Sequence, residues 1–477
     1  MVNKVNVVCR CEEVEIEEIR EWIARGYDTF DELKRELRVG MGPCQGRGCR
    51  DIIMREIARA TGKSVAEDDP AACEADKDRA FSEGLCGRRR KEVMTMDFPK
   101  TAEVVIIGGG AVGASTAYYL SKSGVKDVVV LEKNTVGSGS TGRCGAGMRA
   151  QWGNELNCRM ALSAIEIFEH LDDELGLPTG LNQSGYVFVA YNEKEWEQFH
   201  KNVELQHKAG VMTELFSDKK RLQEICPGAA VDDAIGFTFH ARDGHADPFL
   251  TTNAFQEAAR RNGARFFKHT EVTGINVDGG RVTGVVTNRG TINTRTVINC
   301  AGSWAQEISA MAGIKIPNWA ERHQVLVTEP VEPGVCPTML MSMSGNYYVQ
   351  QRPNGSIIAG RDSSKEKKLG YELNVNVIAD TAQMVLKLLP RTKDIRVVRL
   401  WSGYYDMTPD CAPIIGETDE VKGFFHLTGF SGRGFMLSPV AGQIMTSLIN
   451  GETPFMDPSK FSYHRFETGE LFKDPLA

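Results

Sequence analysis

The 477-residue sequence lacks an apolar run long enough to span a membrane, and it has no excess of positive charge. Its N-terminal stretch becomes charged before an apolar region of signal-peptide length is completed. A net charge of -7 provides no general attraction to nucleic acid or to anionic lipid. No internal repeat or low-complexity tract is evident. Partners must therefore be recognised at specific sites, and we expect a cytoplasmic protein.

The sequence does contain enough apolar material for a large core. It is 42% hydrophobic and 25% charged, which is ordinary for a globular protein of about two to four domains. It also contains 12 cysteines. Without a secretory signal, these indicate reduced thiols and metal ligands rather than a disulfide framework.

Composition divides the chain into three parts. Residues 1–63 combine short helical apolar stripes with four cysteines, and so small a unit has a marginal core that often needs a metal. Residues 64–100 are polar and are predicted to be a linker. Residues 101–477 begin with a strand, a glycine turn, a helix and a second strand, and then alternate between strand-like and helical segments. This order predicts an α/β domain with a second sheet inserted.

Four cysteines of the first part occur in two close pairs. Cys9 and Cys11 stand in VVCRCEEV, and Cys44 and Cys49 stand in GMGPCQGRGC. Structural cysteines need no partner, so this pairing indicates a soft metal. A C-x-C pair is unusual for structural zinc, whereas an iron–sulfur cluster takes four thiolates and benefits from glycines that let backbone N–H groups approach the sulfurs. The pattern favours [2Fe-2S], with zinc and metal-free thiols as alternatives.

These two cysteine motifs resemble those of the bacterioferritin-associated-ferredoxin-like [2Fe-2S] domain. The resemblance covers about residues 5–63 and rests on CRC and GMGPCQGRGC. It implies a small α-rich iron–sulfur domain. The implied cluster ligands are Cys9, Cys11, Cys44 and Cys49.

A glycine turn follows the first strand of the third part, in VVIIGGGAVGASTAYYL. Gly108, Gly110 and Gly113 form a GxGxxG pattern between a strand and a helix, which is the setting of a dinucleotide-binding turn. Glu132 ends the next strand, where an acidic residue can bind adenosine ribose hydroxyls. A glycine-rich turn without a ligand is the alternative.

Two further loops favour FAD over NAD. The segment GSGSTGRCGAGMR adds a second glycine- and serine-rich loop that a simple NAD-binding unit does not need. Near residue 430, FHLTGFSGRGFMLSPVAG repeats the order of strand, glycine turn and helix. A second helix N-terminus could therefore point at the flavin end of a longer cofactor.

From about Ala102 to Met456 the chain resembles the D-amino-acid oxidase-like, FAD-dependent amine oxidoreductases, the group that contains sarcosine oxidase, glycine oxidase and dye-linked proline dehydrogenase. The motifs are VIIGGGAVGASTAYYL, VVVLEK, GSGSTGRCGAGMR, DGHADP, TVINCAGSWA, WSGYYDMTPDCAPIIG and TGFSGRGFMLSPVAG. The resemblance implies an FAD-binding Rossmann-like domain with an inserted antiparallel-sheet substrate domain. The implied FAD-binding parts are about 101–183, 240–305 and 396–456, and the substrate parts are about 184–239 and 306–395.

The resemblance also implies which residues hold FAD. The flavin should be noncovalent, because Gly403 stands where some sarcosine oxidases carry the cysteine that bonds to flavin. The implied FAD-binding residues are Gly108, Gly110, Ala111, Val112, Gly113, Glu132, Lys133, Ser140, Thr141, Val272, Gly302, Gly429, Gly432, Arg433, Gly434, Phe435 and Met436.

For the substrate, the resemblance places Arg149 where sarcosine oxidases bind a carboxylate, a task that suits the arginine fork. A surface arginine is the alternative. Tyr405 and Tyr348 are predicted near the flavin and in the inserted sheet, and both could instead be core aromatics. His240 and His245 are interpreted as structural. The catalytic candidates are therefore Arg149, Tyr405 and Tyr348.

These features together predict an FAD-dependent amine or amino-acid dehydrogenase. An amine of the proline, hydroxyproline, sarcosine or glycine type would give hydride to FAD, and the [2Fe-2S] cluster would pass electrons one at a time to another redox subunit. Met436 replaces a lysine of the relatives, which removes one positive charge and puts both carboxylate binding and oxygen chemistry in doubt. We expect a hetero-oligomer with a second flavoprotein, with FMN at an interface, and no nucleic acid. The alternatives are an oxidase that releases hydrogen peroxide and a non-catalytic electron-transfer subunit.

Overall fold

The computed structural model describes residues 7–10, 12–41, 46, 48–62, 97–361, 366–367 and 369–476. They fall into two compact units, divided between Phe98 and Pro99. Most of the predicted linker, residues 64–96, lies outside the described residues. Among the described residues, no helix combines the length and the apolar character that crossing a bilayer requires.

The bounds of the strands and helices are as follows. The strands are β1 Val7–Cys9, β2 Val14–Glu15, β3 Val104–Ile107, β4 Val128–Leu131, β5 Gly147–Met148, β6 Tyr186–Ala190, β7 Glu214–Phe216, β8 Gly236–His240, β9 Gly244–His245, β10 Arg265–Phe267, β11 Val272–Asp278, β12 Arg281–Thr287, β13 Gly290–Asn293, β14 Val297–Asn299, β15 Trp319–Thr328, β16 Met339–Ser342, β17 Tyr347–Gln351, β18 Ile357–Gly360, β19 Val397–Met407, β20 Ile414–Glu417 and β21 Phe424–Thr428. The helices are α1 Ile16–Ala24, α2 Phe30–Leu37, α3 Arg50–Thr61, α4 Ala111–Lys122, α5 Glu155–Leu175, α6 Glu193–Lys208, α7 Lys219–Ile225, α8 Pro248–Arg261, α9 Ala305–Met311, α10 Val375–Leu388, α11 Gly434–Asn450 and α12 Arg465–Thr468.

Three short helices form most of the described part of the small unit. The N-terminus of α2 is capped reciprocally, because Thr29 Oγ1 accepts from the Glu32 backbone N–H at 3.2 Å and the Glu32 carboxylate accepts from the Thr29 backbone N–H at 3.1 Å. Each helix buries two or three apolar side chains in a common core, in which Ile19, Leu33 and Ile53 are fully buried. This arrangement confirms the predicted α-rich N-terminal domain.

The large unit is built on a six-stranded sheet of order β10-β4-β3-β14-β21-β20. Its pairings are parallel except for the antiparallel pair of β20 and β21. β3 and β4 read VVII and VVVL and are buried at every position, as expected for strands covered on both faces. The core of this part packs α4, α8 and α11 against the sheet. The predicted Rossmann-like domain is thus confirmed.

A second sheet of eight strands has the order β19-β15-β18-β17-β16-β6-β8-β7. All its pairings are antiparallel except that of β16 with β6. This is the predicted inserted sheet. One boundary differs from the prediction. The strand β19 was predicted to belong to the FAD-binding part that begins near residue 396. It pairs along β15 from Trp319 to Thr328 and so lies in the inserted sheet.

Candidate active site

A cavity of about 580 Å³ opens where the parallel sheet faces the inserted sheet. Its lining includes residues at the carboxyl ends of β3, β4, β14 and β21, and residues of β15 and β19 from the inserted sheet. Ligands of open α/β sheets bind at this edge, because the strand ends and the helix N-termini meet there. The topology therefore brings the predicted cofactor turn and the predicted substrate residues to one place.

The glycine turn between β3 and α4 forms one wall of the cavity. Gly108 has φ +110°, and a Cβ there would collide with the Cys300 backbone carbonyl. Gly110 lines the cavity at the N-cap of α4. Gly113 does not line the cavity. A Cβ at this position would instead collide with the Gly108 carbonyl. The third glycine therefore allows the helix to pack on the strand rather than contacting a ligand.

Glu132 and Thr141 complete this end of the cavity. The Glu132 carboxylate accepts from the Gly109 backbone N–H at 2.9 Å, which holds it beside the turn at the end of β4. Thr141 Oγ1 accepts from the Ala111 backbone N–H at 3.1 Å, so the hydroxyl lies at the first residue of α4. Lys133 lies over the ring of Trp304 at 3.7 Å from its centre. This arrangement offers an acidic group and a helix N-terminus to one ligand.

The second glycine loop lies between β21 and α11. Gly432 has φ +88°, and a Cβ there would approach the Tyr405 ring to 2.7 Å, so the loop needs glycine at this contact. Gly429 was predicted to line the flavin, but it is not among the lining residues. Its backbone N–H donates to the buried carboxylate of Asp406. Thr428 Oγ1 donates to the same carboxylate at 2.7 Å, so Asp406 joins β19 to this loop.

Arg149 is buried in the cavity wall, with 7% of its surface exposed, so the alternative of a surface arginine is wrong. Its guanidinium lies 3.5 Å from the centre of the Trp152 ring and donates to the Leu476 carbonyl at 3.1 Å. Burial lowers the pKa of Arg149, because the charged form loses hydration. A cation held in this way favours an anionic ligand.

The backbone after Arg149 is held by Asp243, a side chain with no exposed surface. The Asp243 carboxylate accepts from the Ala150 backbone N–H at 2.8 Å and from Gln151 Nε2 at 3.0 Å. It also lies 2.7 Å from His240 Nδ1. Three donors converge on one buried carboxylate, which orients the segment that carries Arg149.

Tyr405 and Tyr348 both line the cavity and are only partly buried, and Tyr348 also packs against the buried cluster around Phe188. The Tyr405 ring is stacked on His323, with ring centres 3.9 Å apart. His323 Nε2 lies 3.3 Å from a carboxylate oxygen of Glu321, which precedes it by two positions on β15 and also lines the cavity. The inserted sheet thus supplies polar and aromatic groups to the cavity.

Comparison with known families identifies this constellation. Residues 103–448 match the family model described as FAD dependent oxidoreductase. The chain belongs to this family. Residues 7–59 of the oxidoreductase match the model of the BFD-like [2Fe-2S] binding domain. Both predicted family resemblances are therefore confirmed.

Similar proteins include several amine oxidoreductases. The chain is 30% identical to the sarcosine oxidase subunit beta of an Arthrobacter species, over 79% of this chain and 93% of that protein. It is 29% identical to human mitochondrial sarcosine dehydrogenase, over 91% of this chain and 48% of that protein. The chain thus spans about half the length of that dehydrogenase.

Solved structures extend the comparison. The L-proline dehydrogenase of P. horikoshii has 36% identity and a TM-score of 0.76, covering 79% of this chain and all of that one. The glycine oxidase of Geobacillus kaustophilus, at 23% identity and a TM-score of 0.71, shows the shared fold. The oxidoreductase shares the fold of these proteins.

The cavity of the oxidoreductase fits FAD on observations of its own residues. The tight Gly108 turn and the N-terminus of α4 suit a pyrophosphate, and Glu132 suits a ribose. Gly432 has no side chain, so the backbone of the second loop can approach Tyr405 closely at the cavity. Of the residues predicted to bind FAD, those that line the cavity are Gly108, Gly110, Ala111, Val112, Glu132, Lys133, Ser140, Thr141, Val272, Gly302, Gly432, Arg433, Gly434, Phe435 and Met436.

The predicted cluster ligands are only partly described. Cys9 at the end of β1 and Cys49 before α3 are both 1% exposed. Cys49 Sγ lies 3.9 Å from the Gly46 carbonyl. Cys11 and Cys44 lie outside the described residues. The assignment of the four ligands stays a prediction.

Several site residues of the oxidoreductase were not predicted from the sequence. Trp152, His323, Asp406 and Leu476 line the cavity, and Asp243 supports its wall. Asp243 and Asp406 stand within quoted motifs, DGHADP and WSGYYDMTPDCAPIIG, so their position in a motif was an available signal. No signal in the sequence indicates Leu476, because only folding brings it to Arg149.

Proposed function

We propose that the oxidoreductase is a dehydrogenase for an amino acid or secondary amine of the proline, hydroxyproline, sarcosine or glycine type. The observation that carries this proposal is that one cavity joins the dinucleotide turn at Gly108 to the buried cation Arg149. FAD, when bound, supplies a hydride acceptor for the carbon beside the amine nitrogen. The names of the similar sarcosine and proline dehydrogenases agree with this substrate class.

The residues of the chain then have separable tasks. Arg149 binds the substrate carboxylate, because its fork forms two parallel hydrogen bonds with such a group. Tyr405, stacked on His323, and Tyr348 form the aromatic walls that orient the amine. The buried side chains Met436 and Trp152 give the cavity apolar surface. Orientation in a closed cavity is a large part of what such a protein contributes to the rate.

We also propose an electron outlet through the small unit. A [2Fe-2S] cluster held by Cys9, Cys11, Cys44 and Cys49 passes electrons singly to another redox subunit. The similarity to a sarcosine oxidase beta subunit supports a hetero-oligomer.

In this proposal residues 1–63 and 101–477 are separate domains joined by the linker 64–100, in keeping with the division at Phe98. FMN at a subunit interface and a cytoplasmic location stay predictions, tested by flavin extraction from the native complex and by cell fractionation.

Anaerobic reduction of the flavin tests the catalytic part of the proposal. The purified chain with FAD is mixed with L-proline, D-proline, hydroxyproline, sarcosine or glycine, and bleaching of the flavin absorbance is recorded. We expect bleaching with at least one of these amines, and a rate at least tenfold lower for Arg149→Gln. Arg396→Gln is the matched control, since that side chain is 84% exposed and outside the cavity. Absence of bleaching with every amine favours the non-catalytic electron-transfer subunit.

The electron acceptor is tested in the same preparation. Turnover is measured with an artificial dye and with dioxygen, and hydrogen peroxide is quantified. A dehydrogenase reduces the dye much faster than it forms peroxide. Peroxide formation at the rate of dye reduction would refute the dehydrogenase assignment in favour of an oxidase.

A further inference from the structure

A second buried guanidinium lies beside Arg149 in the same cavity. The central guanidinium carbon of Arg433 is 4.8 Å from the centre of the Trp152 ring, and that of Arg149 is 3.5 Å from it. Both guanidinium groups thus lie against the same indole ring, and both side chains line the cavity. Arginine forms charge-assisted hydrogen bonds with carboxylates, so two such groups at one cavity can serve one carboxylate ligand.

The hydrogen bonds of both guanidinium groups go to uncharged acceptors. Arg149 donates to the Leu476 carbonyl and, at 3.9 Å, to the sulfur of Met341. Arg433 donates to two backbone carbonyls, one of which belongs to Cys411. Within the described part of the chain, neither group forms an ion pair with a carboxylate.

Burial makes this pair of cations unfavourable without an anion. Arg433 is 5% exposed, and burial lowers its pKa to about 10, with a further lowering from the charge of Arg149. The carboxylate of Asp474 acts in the opposite direction, but its oxygens accept from the Gly153 backbone and from Asn157 Nδ2. Two buried guanidinium groups that share a cavity and form no direct ion pair with a carboxylate of the described residues indicate a binding site for an anion.

We propose that Arg433 is the second cation of the substrate-carboxylate site and acts together with Arg149. The substrate is therefore an amino acid rather than a simple amine, an inference that rests on the proposed function. Arg433 was predicted only to line the flavin. Met436, where relatives carry a lysine, is uncharged and 4% exposed, so a positive charge returns to the cavity from a position three residues earlier.

The kinetic test compares Arg433→Gln with the exposed control Arg396→Gln in the FAD-loaded full chain. Two substrate pairs are used, L-proline with pyrrolidine and sarcosine with dimethylamine, which differ in the carboxylate. We expect Arg433→Gln to lower the preference for the carboxylate-bearing member, as the ratio of kcat/KM values, by about 10- to 100-fold. The lysine variant Arg433→Lys should recover part of the preference, because it keeps the charge.

A binding measurement gives a second readout that needs no turnover. 2-Tetrahydrofuroate carries the carboxylate of proline without the amine, and its dissociation constant is measured by titration calorimetry. We expect it to rise about 10- to 100-fold in Arg433→Gln and to stay unchanged in Arg396→Gln. Flavin content, from the absorbance spectrum, verifies that each variant is folded, and the uncharged variant Arg433→Met replaces a glutamine variant that loses flavin.

The outcomes separate the two proposals. An Arg433→Gln protein that binds 2-tetrahydrofuroate as wild type does, while Arg149→Gln loses binding, would overturn the role of Arg433 and leave the proposed function intact. A wild-type protein that is bleached by no amine yet binds 2-tetrahydrofuroate through Arg433 would refute the proposed function and keep the carboxylate site.

Discussion

Replacement of Asp243 by asparagine should both destabilise the protein and weaken substrate binding. The Asp243 carboxylate is fully buried and meets three donors, from the Ala150 backbone, Gln151 and His240, at 2.7 to 3.0 Å. Asparagine keeps one acceptor oxygen but turns an NH₂ group toward a donor. Since hydrogen bonds to a charged group contribute about 1.5–3 kcal/mol each, we expect a loss of about 2–4 kcal/mol in the free energy of unfolding.

The effect on binding follows from the position of Ala150, which directly follows Arg149. With this backbone less firmly held, we expect KM for the amino acid to rise about tenfold and kcat to change less. Urea unfolding followed by tryptophan fluorescence measures the stability, and steady-state dye reduction measures KM. Asp233→Asn is the control, because its side chain is 77% exposed and its ion pair with Lys387 should contribute under about 1 kcal/mol. A stability of Asp243→Asn within about 0.5 kcal/mol of wild type would refute the reasoning.

Three further predictions concern the cofactor turn, the pH dependence and the cluster. The Gly113→Ala variant should lose most of its bound flavin, since the new Cβ collides with the backbone. The control Gly274→Ala should keep its flavin, because the nearest neighbour of its Cβ is 3.6 Å away. Equal flavin absorbance in both variants would contradict the packing role of Gly113. Burial lowers the pKa of His245 to about 3 and that of His426 to about 4, below their unfolded value of about 6.5. The unfolded chain therefore takes up protons first, and the free energy of unfolding should fall as the pH drops from 6.5 toward 4. The His245→Asn variant should reduce the difference in unfolding free energy between pH 7 and pH 5 by about 2 kcal/mol. An unchanged difference argues against a neutral buried His245. Cys49→Ser should lose iron and the cluster absorbance while amine still bleaches the flavin, and iron content equal to wild type would remove Cys49 from the ligands.

The fold was largely predictable because local patterns and long-range packing agree in this chain. The β3–turn–α4–β4 unit was read from buried apolar runs around Gly108, and the structure places its elements where the pattern indicates. The assignment of β19 to the FAD-binding part was wrong because this one strand of 11 residues belongs to the inserted sheet and also contacts the FAD-binding part. It pairs with β15 in one sheet, and its residue Asp406 holds the loop of the other part.

The candidate site was predictable only in part. Arg149, Tyr405 and Tyr348 were proposed from resemblance, and all three line the cavity. The sequence could not indicate whether they are buried, nor what surrounds them. Trp152 and Leu476 contact Arg149 from positions 3 and 327 residues away in the chain, the second a separation that no local pattern can bridge.

The sequence by itself determined the class of chemistry. The glycine spacing places the turn residues within a few positions of one another, so local geometry already indicates a dinucleotide-binding turn, and the paired cysteines indicate a metal site by their residue type and spacing. Only the tertiary structure decided that two buried cations line one cavity. Arg149 follows β5 and Arg433 is the N-cap of α11, and only the fold brings these two segments to one cavity. The cost of burying a charge depends on what surrounds it there rather than on the order of residues in the chain.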